Sequence, residues 1–227
     1  MKDWRQYRNI TDGEHILVFG DTSAGAKDYS AVQFISRQKL DVPLVYHSRK
    51  MATEMTNELM PVLEKIYDLT GIKPLVAFER NNGGVFEMER LASLNRRGKY
   101  DIFKMPTYGK WLENEDAIKL GWDTNTATRP KMLADLKDAV DKQVLTIYDR
   151  PTIEELFAFV IQKTSSSWKA MAEKGAHDDL VMSLAGAWQL YQYAKEYSGF
   201  NSAAHGPFGQ YLKQANAQIK HDPHIGL

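Results

Sequence analysis

Four apolar runs of strand length, Ile16–Phe19, Ala31–Ile35, Val42–Tyr46 and Leu75–Phe78, open the chain, and only the last is separated from its predecessor by a helix-length segment. That spacing narrows the possible folds more than any other feature. The first three runs lie too close together for crossover connections and are expected as adjacent antiparallel strands. Between the third and fourth, "MATEMTNELMPVLEKIYDLTG" sets Met55, Leu59, Val62, Leu63 and Ile66 at helical spacing, with Gly71 as the stop. Pro61 is expected to kink or divide that helix. A second helical pattern, Val85–Asn95, and a short strand, Asp101–Met105, complete an α/β order with a mixed sheet flanked by helices.

Helical patterns return at Lys131–Asp141 and Thr152–Ile161, around an expected short strand at Val144–Tyr148, and a long last helix starts near His177. With 227 residues, 43% of them hydrophobic, the chain can bury one large core. It reads as one domain over residues 1–197, with an inserted hairpin at about 106–129, where periodicity is weak. A polar tail, 198–227, has little to drive packing and is expected to be flexible. Formal net charge is zero, from 29 basic and 29 acidic residues, so nothing global points to nucleic acid or to a membrane. There is no cysteine, so any metal site must use oxygen or imidazole ligands. No apolar run reaches the roughly 18 residues of a membrane span, and the polar start "MKDWRQYRNITDGEH" does not read as a secretory signal. The expectation is a cytoplasmic protein that is not secreted.

Three acidic positions stand at element ends beside apolar runs. Asp21 follows the first strand in "HILVFGDTSAGAKDYSAV", where a small-residue turn leads on to a second acid, Asp28. Glu79 ends "PLVAFE", and Asp178 and Asp179 open the last helix in "GAHDDLVMSLA". If the first and fourth strands are parallel neighbours, Asp21 and Glu79 share the sheet end where open α/β sheets bind ligands. Carboxylates gathered there cannot all stay ionised unless a cation neutralises them. Oxygen-only ligands then favour Mg²⁺ or Mn²⁺. Each acid also has an ordinary structural role open to it: Glu79 as a loop cap, Asp178 and Asp179 as first-turn acids favoured by the helix dipole. His177 can be a ligand, a proton shuttle or a surface residue.

The ordered set "GDTSAGAKDYS", "LVAFERNNGG", "GWDTNTATRPKML" and "GAHDDLVMSLA" resembles the nuclease domain of the large terminase subunit of tailed double-stranded DNA bacteriophages, an RNase H-like domain. The resemblance spans roughly Glu14 to Tyr193. It implies that Asp21, Glu79, Asp178 and Asp179 are the metal and catalytic acids, with His177 beside them. Which of Asp178 and Asp179 binds metal directly stays open, since helix neighbours point about 100° apart. It also implies two Mg²⁺ or Mn²⁺ ions, about 4 Å apart and bridged by a carboxylate such as Asp21, hydrolysing phosphodiester bonds. The expected substrate is concatemeric double-stranded viral DNA, cut during genome packaging in the host cytoplasm with little sequence specificity. The expected partners are a packaging ATPase domain, the small terminase subunit and the portal. No G-x-x-x-x-G-K-[ST] phosphate loop is present, so the resemblance is to the nuclease half alone.

Basic residues cluster from Arg80 to Lys110 and again from Arg129 to Lys137; Arg80, Arg129, Lys131, Lys104 and Lys110 are the candidate DNA contacts. Tyr108, Trp111 and Trp122 either stack on unpaired bases or pack the inserted hairpin. Asn81 and Asn82 either hold the Glu79 loop or form an ordinary turn. Two other readings stay open: another RNase H-like enzyme, such as a junction resolvase or RNA-hybrid nuclease, and a DNA-binding or motor-docking module without catalysis.

Overall fold

The computed structural model describes residues 3–23, 28–105, 119–163, 168–172 and 177–197. The four apolar runs form its centre: β2 (Ile16–Asp21), β3 (Ser30–Ser36), β4 (Asp41–Ser48) and β5 (Leu75–Phe78), preceded by β1 (Trp4–Gln6) and followed by β6 (Asp101–Ile102). They lie in the order β1-β4-β3-β2-β5-β6. β2, β3, β4 and β1 pair antiparallel, whereas β5 pairs parallel to β2 and to β6, so the sheet is mixed. Parallel pairing of β5 requires a crossover, which α1 (Ala52–Thr70) supplies. Gly71, at φ 69°, stops α1 in the left-handed conformation that glycine adopts without strain. α1 runs through Pro61 as one helix, so of the two expected outcomes, a kink or a division, the division does not occur. Pro61 and Asn57, whose carbonyl loses its helical partner, both lie on the exposed side, where water can replace that bond.

Side chains alternate across the strands and both sheet faces are covered, which explains why the runs are continuously apolar rather than alternating. Ile16, Val18, Val32, Phe34 and Val76 pack with α1 and α2 (Gly84–Leu94). Leu17, Phe19, Ile35, Val45 and Ala77 pack with α3 (Thr128–Asp141) and α5 (Asp179–Tyr197). Trp122 belongs to this second core, 4% exposed and stacked on Phe103 at 5.8 Å, so it packs rather than meets bases.

The last half departs from the expected elements in three places. Val144–Tyr148 forms no strand: Thr146 makes one isolated bridge to Asp41. The helix read as Thr152–Ile161 is α4, Arg150–Ala158, and the chain then turns into β9 (Phe159–Lys163), which pairs antiparallel with β10 (Trp168–Ala172). Of the insertion expected at 106–129, residues 106–118 lie outside the described residues. Its flanks, β7 (Lys104–Met105) and β8 (Lys119–Leu120), pair antiparallel, and α3 already begins at Thr128. The tail 198–227 also lies outside the described residues. No helix among the described residues is long and apolar enough to cross a membrane.

β1, not expected from the sequence, is clasped from the far side of the chain. Arg5 Nε (2.5 Å) and Tyr7 Oη (2.5 Å) both donate to buried Asp149, which also accepts from the Thr152 backbone N–H at 2.9 Å at the start of α4. Burial opposes ionisation of Asp149, but the bonds from Arg5, Thr152 and Tyr7 outweigh it and hold the carboxyl below its ordinary range.

Candidate metal centre

Register brings the first two acids together. Gly20 of β2 sits opposite Phe78 of β5, so Asp21 and Glu79 leave the same end of two parallel neighbours. The Glu79 N–H donates to the Gly20 carbonyl at 2.9 Å, and the Asn81 amide donates to Glu79 Oε1 at 2.8 Å and to the Thr124 carbonyl at 3.2 Å. Asn81 therefore holds the Glu79 side chain. α2 starts close beneath: a Cβ on Gly84 would overlap the Glu79 carbonyl oxygen. α5 brings the third corner, lying so close on β2 that a Cβ on Gly186 would overlap the Phe19 ring. The Asp178 carbonyl accepts the first bond of α5, from Met182 N at 2.8 Å, which makes Asp178 the N-cap and puts Asp179 in the first turn.

The two helix acids have different surroundings. Asp178 Oδ2 accepts from Arg129 Nη2 at 2.8 Å. Asp179 Oδ2 is buried and, among the described residues, has no hydrogen-bond partner; it lies 3.7 Å from His177 Nδ1. Ligand atoms of Asp28, His177 and Asp179 all lie within 4.8 Å of one another. The charges of Asp178 and Asp179 reach Asp21 as well. Burial first, then Glu79, Asp179 and Asp178, push the Asp21 carboxyl well above its ordinary range, and Arg129 only partly opposes them. Burial, Asp28 and Asp178 push Asp179 up to about 6.

Among the described residues such a cluster is under-neutralised: Arg129 offsets the carboxylates only in part, and one buried acceptor has no partner. Carboxylate oxygens and an imidazole without thiolates fit a hard divalent cation. Asp21→Asn and Glu79→Gln are therefore expected to melt no lower than the parent in EDTA at pH 7.5, each having lost one repelling charge; a clear drop by calorimetry would make these acids structural.

Two contributors were not singled out as site residues from sequence. Asp28 appeared there only as the acid ending a turn, and its meeting with His177 and Asp179 brings together positions about 150 residues apart, which no local pattern signals. Glu155 of α4 carried no local signal. Its carboxylate accepts from the backbone N–H groups of Leu180 (2.9 Å) and Val181 (3.4 Å), tying α4 to the first turn of α5. Burial pushes Glu155 up to about 7, with Asp179 and Asp178 adding to the rise and the two N–H bonds opposing it. A carboxyl raised in the folded state binds its proton more tightly there than in the unfolded chain. Stability is then full below about 4.5, the ordinary value, and is lost as pH rises through about 7. Glu155→Gln is expected to flatten the fall in metal-free melting temperature between pH 5 and 8; an unchanged profile would contradict this.

Of the candidate DNA contacts, Arg129 is partly buried on Asp178, and Arg80 donates to the Leu120 carbonyl at 2.6 Å. Lys131 is exposed and paired with Asp135 at 2.5 Å, Lys104 is exposed in β7, and Lys110 lies outside the described residues, as do Tyr108 and Trp111. Arg129→Ala would leave Asp178 unpaired beside three other acids. It is expected to lower the metal-free melting temperature by several degrees at pH 8, and by less at pH 5, where the acids take up protons.

No family model matches the sequence, and no curated protein matches it. The fold is similar to solved terminase nucleases. The large terminase nuclease from thermophilic phage G20c with bound magnesium superposes at a TM-score of 0.63 with 16% identity, over 82% of this chain and 87% of that one. The large terminase nuclease domain of Thermus phage P74-26 gives 0.56 with 17% identity, over 83% and 84%. The P22 large terminase nuclease domain gives 0.50 with 13% identity, over 86% and 88%. The likeness is one of fold, and it bears out the RNase H-like mixed sheet expected from the motif order.

Proposed function

We propose that this chain is a divalent-metal-dependent endonuclease acting on double-stranded DNA, of the kind that cuts concatemeric viral DNA during packaging. One observation carries the reading: carboxyls from a strand end, a second strand end and a helix start lie close enough to act on one another, so that Asp21 and Asp179 are held above their ordinary range, and a buried Asp179 oxygen has no hydrogen-bond partner among the described residues. Asp21, Glu79 and Asp179 would hold the metal, with Asp28 and His177 completing the set and Asp178 supporting through Arg129. Two divalent ions bound there would activate water for in-line attack on a phosphodiester and stabilise the leaving 3′-oxygen.

The chain's own groups have separable tasks. Asn81 restrains the Glu79 carboxylate through its amide. Arg129 restrains Asp178 and partly offsets the acids' repulsion. His177, exposed, presents its Nδ1 to Asp179, leaving Nε2 as the ring nitrogen free to exchange a proton with substrate or solvent. A packaging ATPase domain, the small terminase subunit and the portal are the partners this reading entails.

Supercoiled plasmid incubated with Mg²⁺, Mn²⁺ or EDTA tests it, alongside a four-way junction and an RNA–DNA hybrid. Nicking and linearisation with either ion and none in EDTA is expected. Preferential cutting of junction or hybrid would move the assignment to another RNase H-like nuclease, and binding without cutting would leave a docking module.

A further inference from the structure

β3 and β4 pair with Ser30 opposite Ser48 and Ala31 opposite His47. Continued by one residue, that register sets Tyr29 across from Arg49, with His47 as the diagonal neighbour. The side chains meet accordingly. The Tyr29 ring stacks on His47 at 4.3 Å between centroids, and the Arg49 guanidinium lies over the same ring at 4.6 Å. The edge of the assembly faces the metal centre: Tyr29 meets His177 at 5.2 Å in a T-shaped contact, and its chain neighbour is Asp28.

Arg49 differs from Arg80, Arg129 and Lys131. Arg129 and Lys131 are committed to carboxylates and Arg80 to a backbone carbonyl. Arg49 is exposed and, among the described residues, has no carboxylate within ion-pair distance. Among the described residues, its contact is with a ring face. Stacking engages the flat side of the guanidinium and leaves the N–H donors around its edge for a bidentate anion, while the ring limits the rotamers that must be frozen on binding. His47 adds no competing charge, because burial first and the nearby Arg5 charge second lower it to about 4 and keep it neutral.

We propose that Arg49, laid over Tyr29, is a contact for a backbone phosphate of the nucleic-acid strand that enters the Asp28–His177–Asp179 cluster. The proposal rests on the nuclease reading above and adds the strand-holding site beside it. Such a contact is independent of base sequence and contributes close to one unit of salt dependence.

The test is fluorescence anisotropy of a labelled 20-base-pair duplex with Ca²⁺ in place of Mg²⁺, titrated across salt concentrations. Arg49→Ala is expected to weaken binding roughly three- to tenfold for unrelated sequences and to lower the salt slope by about one. Arg49→Lys should keep the slope and lose part of the affinity, and Tyr29→Leu should do the same through the lost platform. Lys65→Ala, an exposed cation on α1, should change neither. An Arg49→Ala variant with parental affinity and slope overturns the proposal, as does an equal loss in Lys65→Ala, which would mean diffuse charge. A parent that neither binds nor cuts duplex overturns the nuclease reading itself, and this contact with it.

Discussion

Asp179→Asn is expected to lower plasmid nicking at saturating Mn²⁺ more than roughly a hundredfold, the range seen when one group that stabilises developing charge is removed. Asp178→Asn should lose roughly ten- to a hundredfold, as for groups that support a ligand from behind, and His177→Ala should lose least. The order follows from the hydrogen bonds. Asp178 is the N-cap of α5 and spends its carboxylate on Arg129, whereas Asp179 turns a buried, unpartnered oxygen towards Asp28 and His177. Initial nicking rates for the three variants decide it, and a dead Asp178 variant beside an active Asp179 variant would reverse the roles. Stability supplies an independent check. Asp179 is raised from 3.8 to about 6, so the folded protein holds this proton more tightly than the unfolded chain. Its contribution is fully present below 3.8 and disappears as pH rises through about 6. In EDTA at pH 7.5, Asp179→Asn should therefore exceed the parent by up to about 3 kcal/mol, and the gap should close towards pH 4. A gap that is absent at pH 7.5 or persists at pH 4 would remove the electrostatic account.

Gly84→Ala is expected to damage fold and site together. The new methyl would overlap the Glu79 carbonyl oxygen, a backbone atom pinned by neighbouring ladder bonds: Glu79 N to Gly20 O at 2.9 Å and Arg80 N to Trp122 O at 2.8 Å. A side-chain tip can swing away; this carbonyl cannot move without dragging β5. Overpacking of this kind costs about 2–3 kcal/mol, or roughly 5–10 °C in melting temperature for a domain of this size. The Glu79 carboxylate would be displaced with its backbone, so nicking with Mn²⁺ should fall by at least about tenfold even at temperatures where the variant stays folded. Parental melting and parental nicking in the same variant would show that the α2 start has room to shift.

Much of the sheet was legible because strand length, helix period and turn residues are local quantities. The four apolar runs became β2 to β5, the pattern ending at Gly71 became α1, and Asp21, Glu79 and the Asp178–Asp179 pair were visible as acids at the ends of such patterns. Whether Pro61 divides α1 was not legible, because its penalty depends on whether water can reach the orphaned carbonyl, and exposure is a tertiary property. The antiparallel β9–β10 pair was not legible where β-branched and aromatic residues follow α4 without a break, nor was β1, because three residues carry no period.

By itself, then, the sequence determined an α/β order, an oxygen-and-imidazole ligand chemistry and the acids available to it. Tertiary structure alone decided how those acids are used. Arg129 finds Asp178 across 49 residues, Glu155 reaches the first turn of α5 from another helix, and Asp28 meets His177 and Asp179 from a distant part of the chain. Burial and like charge then raise Asp21 and Asp179, whereas Asp178 keeps a cationic partner. A residue's charge is written in the chain, but the electrostatic energy of that charge depends on distances and solvent exclusion, and both exist only once the chain is packed.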